Sequence, residues 1–99
     1  MDVDKVLAQR GARYGEFPNH ATTAQTLKAV FRDGRKKAGR AYPMDALQQE
    51  AMDMILHKVA RIANGDESYD DNWVDIAGYA TLVANELQKP VVAGTGEVR

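Results

Sequence analysis

Two apolar stripes at helical spacing, separated by a short stop signal, constrain this chain more than anything else in it. Leu47, Ala51, Ile55, Val59 and Ile62 recur every three or four residues, the period of one helix face. Trp73, Ile76, Ala80, Val83 and Leu87 repeat the pattern. Between them lies Asn64-Gly65, a common helix stop because glycine takes a left-handed backbone at little cost. Two helices, over 44–64 and 71–88, joined by a turn over 65–70, are expected to lie antiparallel. Asp70 and Asp71 are candidate caps of the second.

The remaining segments fit around that hairpin. Val3, Val6 and Leu7 share a face, which predicts a short helix over 2–10 with Gly11 as its stop. Residues 11–19 read as a loop with two large rings, Tyr14 and Phe17, that dock on the helices or line a pocket. Ala24, Leu27 and Phe31 predict a helix over 19–33. Residues 33–43, with two glycines, a proline and basic side chains, read as an exposed connection. No strand pattern is convincing. The expected fold is all-α: a small bundle of three main helices and a short N-terminal one, forming a single domain over 1–89. Residues 90–99 have no helical period and read as a flexible tail.

Composition narrows the chemistry. With 99 residues, the core is modest, which favours a homo-oligomer. The formal net charge of −1 provides no global field for nucleic acid or an anionic membrane. The basic run Arg32, Arg35, Lys36, Lys37 and Arg40 could touch nucleic-acid phosphates, but such a run is more often simply solvated. There is no cysteine, so disulfides and thiolate chemistry are excluded. No apolar run has the length of a membrane span, and a cytoplasmic location is expected.

Polar residues in apolar places mark the candidate site. At about 100° per residue, Glu50, Asp53, His57 and Arg61 fall in one polar stripe, whereas Lys58 falls between Leu47 and Ala51 on the apolar arc. Asp75 lies at the rim of the apolar arc of the last helix, so it is expected to face Lys58 or Arg61. One reading is a structural ion pair. The other is a ligand site in which Lys58 and Arg61 bind phosphate, Asp75 orients them, and Tyr14, Tyr79 or Trp73 stacks on a base. His20 and His57 are weak candidates for metal ligands, because no third partner is evident. Gly78, inside a helix, predicts a close neighbour, for which the Tyr14-Gly15 segment is a candidate.

Glu50-x-x-Asp53 followed by Asn72-x-x-Asp75 resembles the E-x-x-E … E-x-x-D arrangement of MazG-type all-α nucleoside triphosphate pyrophosphohydrolases. Asp53 and Asn72 stand where that pattern has glutamates. The resemblance implies Mg²⁺ held by Glu50, Asp53 and Asp75, and hydrolysis of a nucleotide. The Arg10-to-Phe17 segment, Gln25-Thr-Leu27-Lys28, and the stretch from Glu50 to Tyr79 are also similar to a family of short phage and prophage proteins. That likeness implies a phage or prophage protein in a bacterial host. Two functions stand side by side: a nucleotide-handling protein, with or without hydrolysis, and a non-enzymatic interaction or host-defence-modulating protein whose polar cluster is purely structural.

Overall fold

The computed structural model describes residues 2–40 and 42–90. Among the described residues there are four helices: α1 (Val3–Tyr14), α2 (Phe17–Lys37), α3 (Ala46–Asn64) and α4 (Asp70–Leu87). The fold is all-α, as the periodicities predict. The expected tail beyond Pro90 lies outside the described residues.

Local chemistry accounts for the ends. The Asp2 carboxylate accepts from the Lys5 backbone N–H at 3.3 Å and caps α1. Asp45 caps α3 in the same way, accepting from Gln48 at 2.8 Å. Pro18 stands in the first turn of α2, where its missing N–H costs nothing. Asp70 and Asp71 do not cap α4. Tyr69 holds the cap position, and both acids lie in the first turn, where they complement the helix dipole.

Three expected boundaries of α1 and α2 move. α1 continues through Gly11 to Tyr14, and α2 begins at Phe17 and continues through Gly34 to Lys37. A glycine inside a helix costs about 1 kcal/mol, which the rest of the helix can absorb. The break falls instead at Gly15, whose φ of 79° is left-handed. Tyr14 and Phe17 are therefore helical residues at a sharp corner rather than loop residues. Most of the basic run likewise sits on the last turns of α2, where Lys37 pairs with Asp33 at 2.9 Å.

α3 is the centre of the molecule. α2 packs on one side of it and α4 on another, α1 lies against α3 and α2, and α2 and α4 do not meet. The fully buried apolar residues are all small: Ala24, Ala51 and Ala60. Small side chains bring helix backbones close, but they remove little apolar area from water. Trp73 does not join the core as its spacing suggested. It lies half-exposed, with its indole N–H donating to the Glu67 carbonyl at 2.9 Å across the α3–α4 turn.

The end of α1 is locked to the end of α3. A Cβ on Gly15 would run into the backbone of Asn64, and one on Gly65 into that of Arg13 and Tyr14. The Asp66 N–H donates to the Arg13 carbonyl at 2.8 Å. The close neighbour expected at Gly78 is thus found at Gly65, while the space above Gly78 is open.

Candidate functional site

The ends of α1 and α3 and the start of α2 enclose a cleft of about 690 Å³. Arg10 and Tyr14 face it from α1, Phe17 and His20 from α2, and His57 and Arg61 from α3. The Gly15–Gly65 junction sets its geometry. It presses the last turn of α1 onto α3, so that Arg61 lies over the Tyr14 ring at 4.1 Å. Arg10, one turn before Tyr14, approaches the same ring at 5.1 Å. Next to them, Arg13 stacks on Tyr69 at 4.4 Å, and the Tyr14 and Tyr69 rings stand 6.0 Å apart. Arginine on an aromatic face keeps its hydrogen-bonding edge free. No carboxylate lies within ion-pair distance of Arg10, Arg13 or Arg61 among the described residues.

Two imidazoles form the floor. His20 and His57 meet edge to face at 4.6 Å. His20 is 6% exposed and its Nδ1 has no hydrogen-bond partner. Burial pushes the His57 pKa down to about 4, helped by the charges of Arg61, His20, Lys58 and Lys28. Burial also lowers that of His20, with Arg61, Lys28 and Arg10 adding to it. The charged groups that act on the pair are cationic, while Glu16 also lines the cleft. Phe17 forms the rim and is 74% exposed, an unusual state for so apolar a ring.

The residues singled out from the sequence separate into different places. Lys58 is buried, and its Nζ meets the Asp75 carboxylate at 2.8 Å, joining α3 to α4. Arg61, one turn further on, turns instead to Tyr14 in the cleft. Tyr79 lies on α4 beside Gly78, and Trp73 anchors the turn before it. Glu50, Asp53 and Asp75 are not gathered: among the described residues no three His, Asp or Glu side chains stand close enough to hold one metal ion. Asp53 accepts from Gln49 of its own helix at 3.1 Å, and Asp75 is held by Lys58. Asn72, the other member of the second polar pair, is 1% exposed and sealed inside. His20 and His57 do come together, but without a third ligand.

Sequence reasoning missed Arg13 and Tyr69, and gave Arg10 no role of its own. A signal was present. Arg10 and Tyr14 stand four apart, which places them on one helix face once α1 runs through Gly11.

The chain belongs to the family described as "Domain of unknown function (DUF6378)", whose model matches residues 3–87. No curated protein and no solved structure matches it.

Proposed function

We propose that the protein binds a phosphorylated nucleotide in the α1–α2–α3 cleft, with Arg61 and Arg10 on the phosphate and Phe17 on the base. The observation that carries this reading is the pair of arginines stacked on Tyr14, with no carboxylate within ion-pair distance among the described residues, beside two imidazoles on which cationic neighbours act. Guanidinium forks match phosphate oxygens two at a time, and an exposed ring offers a base a stacking surface. The unpartnered Nδ1 of buried His20 is a further polar group available to a ligand.

Binding without turnover is the favoured form. Hydrolysis with Mg²⁺ would draw on Glu50, Asp53 and Asp75, and the scattering of those acids gives it no support. Sequestration of a host signalling nucleotide by a phage or prophage protein fits such a site. The Lys58–Asp75 contact then acts as a structural pin between α3 and α4.

A thermal-shift screen of nucleoside mono-, di- and triphosphates and cyclic nucleotides, with and without Mg²⁺, tests the reading. A ligand present at a hundred times its Kd stabilises the fold by about 2.7 kcal/mol, a readily measured rise in Tm. Arg61→Ala should abolish the rise, at the cost of only a few degrees in the unliganded Tm. No rise with any nucleotide would sink the proposal.

A further inference from the structure

Charge is sorted along this chain. Residues 2–40 carry nine Lys and Arg against four Asp and Glu, whereas residues 42–90 carry three against nine. The net charge of −1 therefore conceals a basic α1–α2 half and an acidic α3–α4 half. Asymmetry of this kind between two halves points to a polyanionic partner for the basic one. The helix sorts the charge further. At about 100° per residue, Lys28, Arg32, Arg35 and Lys36 fall within one arc of α2 about 100° wide. Asp33 is the only acid of α2; it lies outside that arc and is already paired with Lys37 at 2.9 Å. Among the described residues no carboxylate stands within ion-pair distance of Lys28, Arg32, Arg35, Lys36 or Arg40.

The end of α2 holds this display in place. The Arg40 N–H donates to the Arg35 carbonyl at 2.7 Å and the Gly39 N–H to the Lys36 carbonyl at 3.0 Å. This pair of bonds closes the helix, and Gly39, with φ 75°, makes the left-handed step that it requires. Arg40 is thereby turned back beside the last turn of α2. Its guanidinium donates to the Tyr42 hydroxyl at 2.7 Å, while Arg35 donates to the Tyr42 carbonyl at 3.0 Å and lies 5.8 Å from the ring. Clamped in this way, Tyr42 is still 58% exposed. A row of cations ending in a fixed, open ring has the two parts of a single-strand site: charge that tracks a phosphate backbone and a face on which a base stacks. An anionic membrane surface would call for large apolar residues along the edge of the row, and the exposed positions there are Gln25 and Ala29. A duplex keeps its bases stacked inside, out of reach of the ring.

We propose that the basic arc of α2 and Tyr42 bind single-stranded nucleic acid, with Arg32, Lys36 and Arg40 on backbone phosphates and a base on Tyr42. This goes beyond the nucleotide reading and does not rest on it. The cleft takes Phe17 and His20 from the start of α2, and this surface lies at the other end of the helix.

Fluorescence anisotropy with labelled single strands of DNA and of RNA, and with the matching DNA duplex, tests the proposal. At about 50 mM salt at least one of the single strands should bind, more tightly than the duplex, and its affinity should fall as salt is raised. Losing two phosphate contacts to a single strand lowers the slope of log affinity against log salt by about 1.4. The double variant Arg32→Ala/Lys36→Ala should show that loss. Lys5→Ala/Lys89→Ala, which removes the same charge elsewhere, should not. Tyr42→Ala should weaken binding about ten-fold with the slope unchanged. All of these side chains are exposed, so circular dichroism should report the same helicity throughout. Absence of binding to both single strands overturns the proposal, as does a duplex bound as tightly as they are. So does binding that the α2 pair and Tyr42→Ala leave unaltered, or that the Lys5/Lys89 pair weakens as much as the α2 pair does.

Discussion

Lys58 and Arg61 carry the same charge on the same helix, one turn apart, and meet different fates. Lys58 turns towards α4, is buried, and is neutralised by Asp75 at 2.8 Å. Arg61 turns towards α1 and lies on a tyrosine ring, with no acid in reach among the described residues. A buried ammonium needs a carboxylate, because an unpaired charge in the interior costs several kcal/mol. A guanidinium on an aromatic face is partly desolvated at lower cost and remains able to bind an anion. The α3–α4 side of the molecule uses charge to hold helices together, and the α1–α3 side keeps charge available. The first arrangement is complete in itself, whereas the second lacks its counter-charge.

The largest test of this contrast is at the junction that makes the open side. Gly15→Val or Gly65→Val should destabilise the fold by 3 kcal/mol or more, on the order expected when a backbone contact must break. Denaturant midpoints measure this, and a change below about 1 kcal/mol would show that α1 is not locked to α3. Next comes the ion pair. Asp75→Ala should cost about 1–3 kcal/mol, discounted from a fully buried pair because the Asp75 carboxylate is 45% exposed. Adding Lys58→Met should recover most of the loss, because the stranded charge is then gone. Equal, additive losses would mean that the two residues do not act as a pair.

Arg61→Ala should cost only about 0.5–1 kcal/mol, the usual worth of an exposed cation–π contact. A loss as large as that of Asp75→Ala would erase the distinction between the two sides.

An effect of similar size comes with pH. The folded state holds His57 down at about 4, against 6.5 for a free imidazole. Between those values the unfolded chain takes up the extra proton. Stability is therefore full above 6.5 and declines as the pH falls through that window. The decline should be on the order of 1 kcal/mol for a ring this accessible to water. His57→Asn should flatten it in Tm measured against pH, and an unchanged slope would place the titration elsewhere. A bound anion opposes the cationic field on the imidazoles, so ligand affinity should rise over the same fall in pH.

Much of the fold was legible in local order. The stripes on α3 and α4 predicted both helices to within about two residues, because apolar period and stop signals are properties of neighbouring residues. The place of Lys58 on an apolar arc required it to snorkel outward or meet a partner, and Asp75, at a matching rim, was expected to face it or Arg61; the structure pairs it with Lys58. The cleft was less accessible. Gly11 and Gly34 read as breaks, and only packing against the rest of the molecule shows that the helices run through them. Tyr14, Arg61, His20 and His57 belong to three helices, and no spacing along the chain encodes which of them converge.

By itself, then, the order of residues determined that the chain is helical, where α3 and α4 end, and that Lys58 stands on an apolar arc where it must snorkel or be paired. Only the tertiary structure decided where a free positive charge collects. The Gly15–Gly65 contact is a long-range close approach between two helix ends, and it brings Tyr14 against Arg61. The physical reason is one of range. Helix formation depends on residues within a turn of one another, whereas an electrostatic site depends on distances across the fold, which a one-dimensional pattern does not contain.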